Sequence, residues 1–163
     1  MRAPAEVRLE RLQKLIQRVS HESEKGGIII VEGQRDRDSL RKMGITGTIL
    51  CLQSSRKNAV GFVEELESDR DVIVLTDFDR QGVFLAKRLA RILNSQKIHA
   101  NLVLWRELRG LTRSHVRSIE ELPKFYYRLH SEVFLGVPTL EYEYSVPFLA
   151  RRRNERSRFR RRT

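Results

Sequence analysis

Two short acidic stretches hold the residues of this chain that are best placed to do chemistry. Val31-Glu32-Gly33 closes one apolar run, and Thr76-Asp77-Phe78-Asp79-Arg80-Gln81-Gly82 closes another. Carboxylates brought together repel, and each raises the pKa of its neighbours unless a cation offsets the charge. Magnesium prefers oxygen ligands, keeps several waters, and is usually held by one or two carboxylates plus substrate phosphate. Glu32, Asp77 and Asp79 are therefore candidate ligands for a divalent cation. Gly33 and Gly82 would let a phosphate approach the backbone, and Arg80, between the acids and a helix start, could hold one. The plainer alternative is that an Asp after a strand simply caps the next helix, and Asp36 or Asp79 taken alone reads that way. Three acids on one edge of an otherwise basic chain are harder to explain as caps.

The elements that must position these acids follow from the apolar pattern. Residues 4 to 24 repeat Val7, Leu12, Leu15, Ile16 and Val19 at helical spacing, and Gly26-Gly27 stops them. Gly27 to Val31 is a continuous β-branched run, as expected of a strand buried on both faces. A helix is expected over 36–43, a strand over 45–52 weakened by Gly47, and a helix over 58–68 with Val60, Val63 and Leu66 on one face. A third strand is expected over 71–76. A strong helix over 81–94 follows, with Phe84, Leu85, Leu89, Ile92 and Leu93 as its buried stripe, and then a fourth strand over 98–105. Strand and helix alternate with short connections, the pattern of βαβ crossovers and a parallel sheet. Ligands bind beyond the carboxyl ends of such strands, which puts both acidic stretches on the functional edge. After Trp105 the alternation ends. Ser118 and Glu121 have capping-box spacing, and a helix to about Leu135 follows, with Pro123 in its first turn and Gly136 at its end.

Composition limits the rest. The 163 residues include 32 Lys plus Arg against 21 Asp plus Glu, a net charge of +11. Arg151, Arg152, Arg153, Arg156, Arg158, Arg160, Arg161 and Arg162 face only Glu155 at the C-terminal end, so +7 of the +11 falls in the last 13 residues. Such a segment cannot collapse on itself and is expected to be disordered when free. Its arginine forks suit phosphate, so it reads as an arm for nucleic acid, with a merely solubilising tail as the alternative. One cysteine excludes an internal disulfide framework and a Cys-based zinc site. No apolar run approaches a membrane span and no signal-peptide core is seen, so a cytoplasmic protein without a membrane partner is expected. The four histidines show no metal spacing. Cys51, Tyr126, Tyr127, Tyr142 and Tyr144 read as packing residues. Ser54-Ser55-Arg56-Lys57, after the second strand, could face the acidic edge.

Val31-Glu32-Gly33 with Asp36 after it, followed by Thr76-Asp77-Phe78-Asp79-Arg80-Gln81-Gly82, resembles the Toprim domain. This is the metal-binding α/β module of topoisomerases, DnaG-type primases, old-family nucleases, recombination mediators and the ribonuclease that matures bacterial 5S ribosomal RNA. The resemblance covers about residues 26 to 105. It implies an α/β fold: an open sheet of about four mainly parallel strands flanked by helices, with added N- and C-terminal helices. The corresponding organisation is an N-terminal helix (1–25), a Toprim domain (26–105), a helical extension (106–150) and the arginine-rich tail (151–163). The chain looks most like small stand-alone archaeal Toprim proteins similar to the 5S maturase, whose second half Trp105-Arg106-Glu107-Leu108 and Ile119-Glu120-Glu121-Leu122 resemble.

By position, the resemblance makes Glu32 the general acid/base that can also touch metal, Asp77 and Asp79 the metal ligands, and Arg80 and Gly82 phosphate-side residues. It implies magnesium as cofactor, with manganese as a substitute. Val83 departs from the pattern, since many relatives carry an acid there, and this bears on a second metal rather than on the fold. The expected function is a magnesium-dependent endoribonuclease acting on a structured RNA such as a 5S precursor. The expected partner is nucleic acid, RNA ahead of DNA, with a ribosomal protein or ribonucleoprotein as a further candidate. The alternatives are a non-catalytic RNA- or ribonucleoprotein-binding Toprim protein and a DNA-acting repair nuclease. A topoisomerase would need a nucleophilic Tyr on a separate domain, a primase a zinc module, and a recombination mediator a four-cysteine finger; the chain has none of these.

Overall fold

Four short parallel strands make one sheet in the order β2-β1-β3-β4: β1 (Ile28–Val31), β2 (Thr48–Cys51), β3 (Val72–Val74) and β4 (Ala100–Asn101). The computed structural model describes residues 4–67 and 69–136. Every residue of β1 and β3 is buried, the consequence of runs that are apolar on both faces. The two strands lie side by side, with Ile28 opposite Val72 and Ile30 opposite Val74. From β1 the chain crosses to β2 on one side, and from β3 to β4 on the other. The strand order therefore reverses between β1 and β3, which makes the crevice beyond their carboxyl ends the place for a ligand.

The helices are α1 (Pro4–Glu24), α2 (Gln34–Lys42), α3 (Ala59–Glu64), α4 (Arg80–Ser95), α5 (Val103–Thr112) and α6 (Leu122–Leu135). α1 packs against α5 and α6, and α6 also meets α2; α3 and α4 pack on each other, while β3 touches both α4 and α5. One continuous core joins α1 residues such as Leu12 and Ile16 to the strands and to Leu108, Leu122 and Tyr126. Cys51, Tyr126 and Tyr127 are buried in it, in agreement with their reading as packing residues. No helix among the described residues is long and apolar enough to cross a membrane. The arginines from 151 onward, together with Tyr142 and Tyr144, lie outside the described residues.

Four expectations are corrected. The strand expected over 98–105 is only Ala100–Asn101, and α5 replaces its second half. Asn101 Oδ1 accepts the Val103 N–H at 3.0 Å and turns the chain into the helix, whose buried Leu104, Trp105, Leu108 and Thr112 recur at helical spacing. The helix expected over 58–68 stops at Glu64, and Val60 on it lies 40% exposed. Phe84 is 64% exposed, because at about 100° per residue it falls on the side of α4 opposite the buried Ala86, Leu89 and Leu93. No capping box forms at Ser118: its side chain makes no cap bond, Ile119–Glu121 is a 3-10 turn, and Glu121 Oε2 accepts the Arg117 N–H. Pro123 does sit in the first turn of α6, and Gly136 ends it with φ +74°, a left-handed cap that favours glycine.

Candidate metal and nucleic-acid site

Glu32 is the first residue beyond β1, and Asp77 follows the short extension of β3. The Asp77 N–H donates to Glu32 Oε1 at 3.0 Å, so the two expected site residues, 45 positions apart, are joined across the switch point. Ile119 N–H donates to Asp77 Oδ1 at 3.0 Å, which fixes the second carboxylate from the far end of the fold. One oxygen of each carboxylate thus has a backbone donor. The other, Glu32 Oε2 or Asp77 Oδ2, has no protein donor among the described residues.

The loop carrying Asp77 is tied down on several sides. Trp105 Nε1–H donates to the Thr76 carbonyl at 2.9 Å, Arg109 Nε–H to the Phe78 carbonyl at 3.2 Å, and Phe78 N–H to the Arg117 carbonyl at 2.8 Å. The Arg109 guanidinium also lies over the Trp105 ring, 5.9 Å from its centroid. The loop closes on itself through the Thr76 hydroxyl, which donates to the Gly82 carbonyl at 2.8 Å. A Cβ on Gly82 would stand 2.0 Å from the Asp77 carbonyl oxygen. Glycine is needed there because helix and loop backbones meet, a reason of packing rather than of phosphate approach.

Asp79 is exposed and caps α4, its Oδ1 accepting the Gly82 N–H at 2.7 Å. The plainer reading of this residue is therefore met, while its charge still acts on Glu32 and Asp77. Asp36 is buried, and its Oδ2 accepts the Gly33 N–H at 2.9 Å, so that N–H is already engaged. Arg80 is an exposed first residue of α4.

An open groove of about 490 Å³ runs along this edge, lined by Glu32, Gly33, Arg35, Asp36, Asp77 and Glu120 among others. Gln53 and Ser54, which follow β2, also face it, as their position at the strand end implies. Burial pushes the Glu32 carboxyl above its usual range, partly offset by the Asp77 N–H, with the Asp36 and Asp79 charges adding to the rise. Burial likewise pushes Asp77 up to about 7, opposed by the Ile119 N–H and assisted by Asp36, Glu32 and Asp79. Asp36 is raised too, first by burial and then by the charge of Glu120.

No three His, Cys, Asp or Glu side chains among the described residues form a ready metal cluster. The chemistry of the donor set nonetheless fits magnesium. Two half-buried carboxylates each keep an oxygen free beside an open groove, and a cation would stabilise the charged forms that burial, assisted by mutual repulsion, disfavours. Magnesium commonly takes just one or two protein carboxylates.

Sequence reasoning singled out Glu32, Asp77 and Asp79 but missed the residues that hold them: the Ile119 N–H, Trp105 and Arg109. A Trp with an indole donor just after a sheet, followed at helical spacing by Arg109, was the available signal.

The Toprim domain family matches residues 26–103 of the chain. A UPF0292 protein of Methanosarcina acetivorans is 34% identical over 126 residues, covering 77% of this chain and 86% of its own. A UPF0292 protein of Thermococcus kodakarensis is 32% identical over 132 residues, covering 81% of this chain and 96% of its own. Among solved structures, a protein from Aquifex aeolicus has a TM-score of 0.54 at 27% identity, covering 66% of this chain and 94% of that one.

Proposed function

Since the chain belongs to the Toprim family and groups with small archaeal UPF0292 proteins, we propose that it is a magnesium-dependent endoribonuclease that cleaves a phosphodiester in a structured RNA, with precursor 5S ribosomal RNA as the first substrate to test. Toprim domains are metal-dependent modules of nucleic-acid enzymes, and that coarser statement holds for this chain by membership. The observation that most supports the finer reading is the union of Glu32 and Asp77 at the switch point, with both carboxyls raised above their ordinary range.

Asp77 and Asp79 would hold the ion, directly or through water, with Glu32 in reach of it. When bound, the ion supplies charge stabilisation at the scissile phosphate and lowers the pKa of a water. Glu32, half-buried and anchored by one oxygen, suits proton transfer with the other, since burial raises its carboxyl above the ordinary range. The Ile119 and Asp77 N–H groups keep the two carboxylates from turning away. Arg80, exposed at the start of α4, and Arg35 on the groove wall supply positive charge for the flanking phosphates. The arginine-rich segment 151–163 is assigned to the same backbone contacts.

The test is cleavage of precursor 5S RNA by purified protein with and without Mg²⁺. Glu32→Gln and Asp77→Asn are expected to lower cleavage at least about a hundredfold, and unchanged cleavage by both would overturn the site assignment. One observation favours the non-catalytic RNA-binding reading: Asp79 is used as a helix cap. Chelation separates the two readings, since binding alone survives it and cleavage does not.

A further inference from the structure

The outer face of α4 gathers positive charge around an exposed aromatic ring. The helix, Arg80–Ser95, contains no acidic residue. Arg80, Phe84, Lys87, Arg88 and Arg91 are all exposed, and at about 100° per residue they fall within one stripe about a third of the way round the helix. None of the four cations forms an ion pair among the described residues. Some other cations, Lys14, Arg18, Lys25, Lys57 and Arg70, each sit against a carboxylate. Among these unpaired charges stands Phe84 at 64% exposure, the most exposed large apolar side chain described.

The stripe starts at the site. Asp79 caps α4 two residues after Asp77, and the helix extends about 24 Å from there. A row of unpaired cations complements a row of phosphates. An exposed aromatic ring among them offers a face on which an unpaired base can stack, a pairing that recurs in single-strand binding surfaces. A base inside a duplex could not reach that ring, so the ring favours a single strand over a double helix.

We propose that the outer face of α4 is the track for a single-stranded RNA flank of the substrate, with Lys87, Arg88 and Arg91 on phosphates and Phe84 stacking on one base. The inference rests on the proposed RNA substrate, but not on cleavage.

The experiment is equilibrium binding of a labelled single-stranded RNA oligonucleotide to the full chain in chelator, across a salt series, with an RNA duplex as the parallel probe. In the triple variant K87A/R88A/R91A the log–log salt slope is expected to fall by about 2, at about 0.7 for each phosphate that is no longer neutralised. Phe84→Ala is expected to weaken single-strand binding about tenfold with the salt slope unchanged, and Phe84→Tyr to restore it. Duplex binding should not respond to Phe84→Ala. Lys14→Ala and Lys25→Ala, on α1 and just beyond it, serve as surface controls expected to bind as wild type. All these positions are exposed, and circular dichroism melting checks that the variants stay folded. Wild-type affinity and slope in the triple variant, or wild-type single-strand affinity in Phe84→Ala, would overturn the proposal. The assay reads binding in chelator, where no cleavage is measured, so failure of the nuclease reading and failure of the α4 track are read separately.

Discussion

Asp77 carries the sharpest pH dependence among the described residues. Its folded pKa of about 7 stands above its ordinary 3.8, so between those values the folded state holds a proton that the unfolded chain has released. The stability linked to Asp77 is therefore full below about pH 4 and is lost as pH rises through about 7. Glu32 and Asp36 shift in the same direction. In metal-free protein, Asp77→Asn is expected to raise the melting temperature at about pH 8 and to leave it nearly unchanged at about pH 4, since the amide oxygen can still accept the Ile119 N–H. Magnesium is expected to raise the wild-type melting temperature at the higher pH and not at the lower; equal stabilisation at both would separate the ion from these carboxylates. Gly82 is fixed by a different cause. A methyl group there meets the Asp77 carbonyl at 2.0 Å, and two backbones cannot yield as a side chain can. Gly82→Ala is expected to cost about 3 kcal/mol in chemical denaturation and to lower activity further by displacing Asp77.

At the scale of elements, the site is made by a loop that the C-terminal half holds still. α5 contributes Trp105 and Arg109, the following segment Arg117 and Ile119, and each bonds a different atom of residues 76–78. Trp105→Phe removes the donor to a buried carbonyl, Thr76 C=O, and is expected to cost about 2 kcal/mol by denaturant titration. Its effect on cleavage should exceed its effect on stability, because the freed loop carries Asp77; a proportionate loss of both would mean that the bond is structural only. The same elements show where periodicity was readable and where it was misread. The β1 and β3 runs are apolar on both faces, which only a buried strand needs over so short a length. The run Ile98 to Trp105 is also rich in apolar residues, yet it divides between an edge strand and a helix because Asn101 bonds the Val103 N–H. The stripe expected on α4 includes Phe84, but at about 100° per residue this side chain falls on the face opposite Ala86, Leu89 and Leu93.

For the whole molecule, charge is the organising quantity. The chain carries +11, with the carboxylate groove at the switch point, the unpaired cations of α4 beside it, and eight arginines in the last 13 residues. A deletion of residues 151–163 is expected to flatten the salt dependence of RNA binding measured by fluorescence anisotropy. It should leave the melting temperature nearly unchanged, since the described residues, all of which precede it, already form one continuous core among themselves. An unchanged slope would remove the arm from the binding account.

Much of this protein follows from local sequence. Alternating apolar runs and amphipathic stripes set the parallel α/β class, and the placement of Glu32 and Asp77 after two such runs set the functional edge, because the carboxyl end of a strand is a property of chain direction alone. What local sequence could not set is which strands are neighbours. The order β2-β1-β3-β4 brings Glu32 to the Asp77 N–H, and only the packing of α5 and the following segment brings the Ile119 N–H, Trp105 and Arg109 to the loop. The same holds for Asp79, whose role as a cap depends on where the Gly82 N–H lies. Spacing along a chain carries direction and burial, whereas bonds between distant residues, and the pKa shifts they cause, exist only once the core has closed.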